Sequence, residues 1–170
     1  DLQHTRTTAG ERILIELALP TEATERYGCP ASATLEITLP DAEPAIYFDL
    51  QWFEKPASRL PEALWLSFMP RDTVAKGWRL EKMGQKISPL EVVRDGNRRL
   101  HAVEAVEYQN ADEYLRLDTL DAPLVAPGEP ALLNFSNRQP PLQHGMHVNL
   151  YNNVWGTNFP MWYAEDARFR

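Results

Sequence analysis

The fold is decided by the stretch Ile13-Leu14-Ile15-Glu16-Leu17-Ala18-Leu19. Its large apolar side chains Ile13, Ile15, Leu17 and Leu19 recur at every second residue, and Glu16 and Ala18 fall between them. Successive side chains of a β-strand point to opposite faces of a sheet. The spacing therefore predicts a strand with one buried face and one wetter face.

The same alternation returns along the chain, in Leu35–Leu39, Ile46–Trp52, Leu64–Phe68, Leu115–Leu117 and Met146–Leu150. Pro20, Pro40 and Pro70 each follow such a run, where a backbone N–H is no longer needed by a neighbouring strand. No helix-length crossover separates the runs, which favours antiparallel pairing. We therefore predict an all-β fold, an antiparallel sandwich or barrel with few or no helices.

Helix and turn signals are few. Thr21–Tyr27 is predicted to hold a helical turn, with Thr21 as its N-cap and Pro30 limiting its extent. Turns are predicted at Asp95-Gly96-Asn97 and Pro127-Gly128-Glu129, where glycine accepts a positive φ. A short buried strand is expected from Leu132, Leu133 and Phe135.

Composition excludes several classes of function. The chain has 170 residues, 44% hydrophobic, with a formal charge of −7, so we expect one domain with a real core. An acidic chain without a basic run predicts no nucleic-acid partner, and no apolar run approaches the ~20 residues of a membrane span. Cys29 is the only cysteine, which excludes an internal disulfide and leaves the compartment open. Because the chain begins at Asp1, we expect a mature product, an excised fragment or a piece of a longer protein.

The run Tyr-Asn-Asn-Val-Trp-Gly-Thr-Asn-Phe-Pro-Met-Trp at residues 151–162 is the strongest functional signal. Asparagine offers both a donor and an acceptor, and tryptophan offers a flat apolar face. Sugars need this mixture of partners for their hydroxyls and their C–H faces. The alternative is structural, since asparagine and glycine form turns and tryptophan anchors cores. From composition alone, the structural alternative is the stronger of the two.

Other polar residues give weaker signals. Arg59 and Glu62 lie on a proline-stiffened connection between two predicted strands, where functional residues often sit, but an exposed ion pair worth ~0–1 kcal/mol is the simpler interpretation. If one strand contains both His144 and His147, the two side chains face opposite sides and cannot share a metal. His101 has no motif that gives it a partner. No spacing selects a pair of carboxylates, so we assign no catalytic and no metal-binding residue.

Three stretches resemble one family. They are the C-terminal stretch His147–Arg170, the run Trp52–Trp65 and the run Thr119–Gly128. All three resemble the C-terminal end of bacterial and fungal proteins related to glycoside hydrolase family 38, the α-mannosidase family, a group often labelled as a domain of unknown function. The asparagine–tryptophan run is the most specific of the matches.

The resemblance implies that residues 1–170 are a single β-sandwich domain, a supersandwich of the galactose-mutarotase type, at the C-terminal end of a longer retaining glycoside hydrolase. Zinc and the catalytic carboxylates would lie in an N-terminal α/β domain outside this chain, so the chain alone would hold no cofactor and would not be catalytic. Its expected partners are that domain and a carbohydrate, with no nucleic acid and no membrane. The residues implied to contact the carbohydrate are Arg59, Glu62, Asn152, Asn153, Trp155, Thr157 and Asn158. A free-standing carbohydrate-binding module and a purely structural interface domain remain alternatives.

Overall fold

The computed structural model describes residues 1–132, 137–154 and 163–170. These residues form one seven-residue α-helix, α1 (Thr21–Tyr27), and thirteen strands. The strands are β1 (Leu2–Arg6), β2 (Gly10–Ala18), β3 (Ser32–Pro40), β4 (Tyr47–Lys55), β5 (Ala63–Phe68), β6 (Trp78–Lys82), β7 (Gln85–Ile87), β8 (His101–Ala102), β9 (Ala105–Gln109), β10 (Tyr114–Asp118), β11 (Leu124–Pro127), β12 (Met146–Asn152) and β13 (Glu165–Phe169). Three short 3₁₀ helices cover Ala75–Gly77, Pro89–Glu91 and Leu142–His144.

Every strand pair in the described residues is antiparallel, and the strands form three sheets. The predicted all-β, sandwich-like fold with few helices is therefore confirmed. Within the described residues, no helix combines the length and the apolar character that a membrane crossing requires.

The described residues divide into two compact units. Unit 1 contains residues 1–62 and 163–170, and unit 2 contains the described residues between 63 and 154. Each unit has its own sheets, since strands pair only within their unit. Whether residues 1–170 behave as a single domain stays a prediction.

Unit 1 is built on one five-stranded sheet in the order β1-β2-β3-β4-β13. Its register sets Ile13 beside Ile37 and Ile15 beside Leu35, so the alternating apolar residues of successive strands meet on one side. This side, called the apolar face below, carries Leu2, Ile13, Ile15, Leu17, Leu35, Ile37, Leu39, Phe48, Leu50, Trp52 and Phe169. The opposite side is polar, with ion pairs of Arg12 with Glu36 and of Arg168 with Asp49.

Helix α1 has the predicted bounds but not the predicted cap. Its N-cap is Pro20, whose carbonyl accepts hydrogen bonds from the N–H groups of Ala23 and Thr24. Thr21 is the first helical residue, so the prediction of Thr21 as the cap is wrong. The helix ends at Gly28 in the left-handed conformation, with φ 74. A Cβ at Gly28 would lie 2.6 Å from the Cβ of Ser58, so the loop of residues 56–62 packs closely against the end of the helix.

The two predicted turns have different outcomes. At Pro127-Gly128-Glu129 the glycine adopts the expected positive φ of 75. In the other turn Asp95 takes the left-handed position with φ 64, and the Gly96 N–H donates to the Val93 carbonyl. Aspartate tolerates this conformation better than most residues. Of the predicted short strand, Leu132 lies outside any strand, and Leu133 and Phe135 lie outside the described residues.

Unit 2 contains two four-stranded sheets, in the orders β10-β9-β6-β7 and β5-β12-β11-β8. Both contribute buried apolar side chains to the core. These include Trp78, Leu80, Val106 and Tyr108 from the first sheet and Val125, Met146 and Val148 from the second. The rings of Trp78 and Tyr108 lie 4.9 Å apart between centroids in a tilted arrangement, a favourable geometry for aromatic pairs.

Candidate functional site

The structure describes Arg59, Glu62, Asn152 and Asn153 among the predicted carbohydrate-contacting residues. Trp155, Thr157 and Asn158 lie outside the described residues. Arg59 and Glu62 belong to the loop between β4 and β5 in unit 1. Asn152 is the last residue of β12 in unit 2, and the buried Asn153 follows it. The two pairs therefore belong to different units.

A β-bulge at the end of β4 shapes the first region. Leu50 and Trp52 are buried, as alternation requires, but Phe53 and Glu54 are both exposed and Lys55 is buried. The register shifts between β4 and β13 at this point. Glu54 adopts a positive φ of 54, and its N–H donates a 2.6 Å hydrogen bond to a carboxylate oxygen of Asp166. An extra residue in one strand re-aims the side chains that follow it, so here the bulge turns Lys55 inward.

The buried Lys55 side chain forms an ion pair with Glu62. Its Nζ lies 2.7 Å from Oε1 of Glu62 and donates a second bond, 3.2 Å long, to the carbonyl of Pro56. The Lys55 side chain has no exposed surface, and that of Glu62 is 10% exposed. The interpretation of Glu62 as part of an exposed ion pair is therefore wrong, because its ion pair with Lys55 is buried. A buried charge is tolerated only when it is paired and hydrogen-bonded, so this contact ties the loop of residues 56–62 to the sheet.

Three further titratable groups surround this pair, and together the five residues are called the Lys55 cluster: Cys29, Lys55, Glu62, Tyr163 and Glu165. Burial raises the pKa of the Glu165 carboxyl, an effect that Lys55 opposes. Burial also raises the pKa of the Cys29 thiol, and the negative charge of Glu62 raises it further. A thiol with a raised pKa is a poor nucleophile. Because solvent does not reach the Lys55 side chain, we interpret the cluster as a structural support that fixes the loop carrying Arg59 to the sheet.

Asparagine amides hold a second bulge, in β12 of unit 2, where the register with β5 shifts between Asn149 and Tyr151. The amide nitrogen of Asn149 donates to the carbonyls of Leu64 and Tyr151, at 3.3 and 3.2 Å. Its amide oxygen accepts a 2.6 Å bond from Asn152. Asn149 was not among the predicted site residues, although it lies two residues before the start of the quoted run. Asn152 therefore takes part in the structural network that stabilises the end of β12.

Replacing Asn149 with alanine is expected to lower the free energy of unfolding by about 1–3 kcal/mol, because buried partners lose their hydrogen bonds. Urea unfolding of the chain measures this change. Asn152→Ala is expected to cost less, since its side chain is only half-buried. Equal losses of unfolding free energy in the two variants would show that Asn149 is not the central residue of this hydrogen-bond network.

The apolar face of unit 1 is a second candidate site. Leu50 and Trp52, at its β4 side, are 8% and 3% exposed, whereas Leu17 and Leu2 toward β1 are 46% and 64% exposed. Ile13, Ile15, Leu35 and Ile37 between them are only partly buried. Extended apolar surface of this kind is typical of interaction sites.

The edge of the same sheet is also open. β1 is its terminal strand in the described residues. Asp1 and Glu16 exchange both of their backbone hydrogen bonds, so by antiparallel alternation the backbone groups of Leu2, His4 and Arg6 point away from β2. β1 contains no proline and no bulge, which are two of the devices that protect an edge strand. The face and the edge together form one open corner of the sheet.

Histidines and acidic residues do not assemble a metal centre in the part of the chain that the structure describes, where no three His, Cys, Asp or Glu side chains converge. His144 lies in a 3₁₀ helix and His147 lies in β12, so one strand does not contain both histidines. Comparison with known proteins adds no assignment: no protein-family model, no curated protein and no solved structure matches the chain.

Proposed function

We propose that this chain is the C-terminal accessory β domain of an α-mannosidase-like glycoside hydrolase, and that it packs its apolar face against the catalytic domain of the same protein. The observation that carries the proposal is the partly exposed apolar face of unit 1. A domain that works alone rarely leaves such a surface open, whereas a domain that docks permanently on another presents an apolar face resembling half of a core.

The roles proposed for the catalytic domain and for this chain follow from the resemblance. Zinc and the catalytic carboxylates belong to the catalytic domain, and this chain supplies no reacting group. Its loops contribute carbohydrate contacts beside the catalytic cleft, with Arg59, Trp155, Thr157 and Asn158 as the proposed residues. The Lys55 cluster supports such a role for Arg59, because a binding residue on a loop needs a rigid support.

The docking proposal is tested by co-expressing the chain with the polypeptide encoded before it in the same reading frame. Ile37→Asp places a charge on the apolar face and is expected to weaken the complex at least about tenfold, since the charge would be buried without a partner. Thr38→Asp is the matched control, because residue 38 lies next along β3 on the opposite side of the sheet. Affinity is measured by titration of one purified component into the other.

The result that contradicts docking through this face is equal weakening by both variants, or none by either. Two further measurements separate the alternatives. The isolated chain is expected not to hydrolyse an aryl α-mannoside. Saturable binding of a mannose-containing oligosaccharide by the isolated chain, followed by tryptophan fluorescence and lost in Trp155→Ala, would instead favour a free-standing binding module.

A further inference from the structure

A serine and a histidine meet on neighbouring strands of unit 2. Ser67 on the edge strand β5 lies directly opposite His147 on β12. The Ser67 hydroxyl oxygen is 2.7 Å from Nδ1 of His147, within hydrogen-bond distance. Ser67 is exposed, whereas His147 is only 4% exposed. A hydroxyl that solvent can reach is therefore in direct contact with an imidazole that solvent hardly reaches.

The surroundings keep this imidazole neutral. Burial lowers the pKa of His147 below its ordinary value, and the positive charge of His144 acts in the same direction. The backbone of Gly128 and the carboxylate of Glu129 oppose this shift. Glu129 is itself paired with Arg99 at 2.8 Å. Nε2 of His147 is buried and makes no hydrogen bond of normal geometry in the described residues. A neutral imidazole can accept a proton from a neighbouring hydroxyl.

We propose that Ser67 is an activated nucleophile that is acylated by carboxylic esters, with His147 as its general base. The oxygen of Ser67 attacks the ester carbonyl while Nδ1 of His147 accepts the hydroxyl proton. The carbon–oxygen bond to the leaving alcohol then breaks, and His147 returns the proton to that alcohol. Water hydrolyses the resulting serine ester by the same route, giving the carboxylic acid and free Ser67. The negative charge of Glu129 favours the imidazolium that forms between these steps.

This site is independent of the proposed accessory role. It uses no residue of the apolar face and no residue of the Lys55 cluster. The alternative is a hydrogen bond with a purely structural purpose, and the two differ in one measurable property. A structural hydrogen bond does not make the serine reactive, whereas a general base raises its reactivity by a factor of about 10²–10⁴.

The test uses the full chain and a fluorophosphonate, which forms an oxygen–phosphorus bond with an activated serine and releases fluoride with the serine proton. Intact mass and peptide mapping are expected to place one adduct on Ser67, at a rate at least about 100-fold above any adduct on Ser32. Ser32 is a suitable internal comparison, because it is an exposed serine on a strand. The label is expected to disappear in Ser67→Ala and to persist in Ser32→Ala. Hydrolysis of p-nitrophenyl acetate should follow the same order.

The base is tested by His147→Gln, which is expected to slow labelling about 100-fold, with circular dichroism as the check on folding. If that variant does not fold, the pH profile of the unmodified chain decides. Labelling should rise with pH as the imidazole loses its proton, with a midpoint below the ordinary histidine pKa of about 6.5. Labelling of Ser67 no faster than that of Ser32, or a profile without this midpoint, would overturn the proposal.

Discussion

Replacing Glu62 with glutamine is expected to lower the free energy of unfolding by about 3–5 kcal/mol, which is the usual cost of removing one partner of a buried ion pair. Lys55 has no exposed surface, so its ammonium group would remain charged in the interior or would have to lose its proton. Either outcome favours the unfolded chain, where water solvates the charge. Urea or guanidinium unfolding gives the free energy directly.

A matched control is available one residue before Lys55. Glu54→Gln makes the same chemical change at an exposed position and is expected to alter stability by less than about 0.5 kcal/mol. The double variant Lys55→Met with Glu62→Gln removes the stranded charge and should be more stable than Glu62→Gln alone. If Glu62→Gln costs no more than Glu54→Gln, the ion pair does not anchor the loop.

Acidification is expected to destabilise unit 2 through His101, by about 2 kcal/mol between pH 7.5 and pH 5 and about 3 kcal/mol by pH 4. Burial, and to a smaller degree the positive charge of Lys82, lower the pKa of His101 to about 4, while a backbone hydrogen bond with Arg98 opposes the shift. Between pH 6.5 and 4 the unfolded chain therefore binds a proton that the folded chain does not. The stability is present above pH 6.5 and is lost as the pH falls toward 4.

The histidine contribution is isolated by variants. His101→Gln should flatten the loss of stability between pH 7.5 and pH 5. His147 adds a smaller loss of the same sign, since burial also lowers its pKa. A pH dependence identical in the chain with and without His101 would contradict this account.

The strands that could be predicted from the sequence are those with one wet face. β2 and β3 alternate because the unit 1 sheet is polar on one side. The bounds of α1 were also predicted from the sequence, although its N-cap was assigned to Thr21 instead of Pro20. β9 shows the opposite case: Ala105, Val106, Glu107 and Tyr108 are all buried, so no polar residue marks an outer face. Glu107 is covered there through contacts with Lys86 and Arg116, which sequence spacing does not reveal. β6 alternates Trp78 and Leu80 with charged residues, so its signal was available and was missed.

The candidate sites depended on information that alternation does not carry. Glu62 was singled out from the sequence as a carbohydrate-contacting residue, but its ion-pair partner Lys55 was not, because the bulge at Glu54 breaks the two-residue period that predicts side-chain direction. Ser67 and His147 are eighty residues apart in the chain, and only the pairing of β5 with β12 brings them together. The open state of the apolar face likewise depends on what packs against a sheet, which a single strand does not specify.

The bulge in β4 also affects how this chain can change over evolutionary time. Phe53 and Glu54 share one pleat between the inward-facing Trp52 and Lys55. Loss of a single codon here would therefore restore regular pleating and still leave the lysine on the inward side, two residues after Trp52. The ion pair with Glu62 would survive such a deletion, whereas a strand of unchanged length that lost only its bulge would send the lysine outward and leave Glu62 in the interior without its cation.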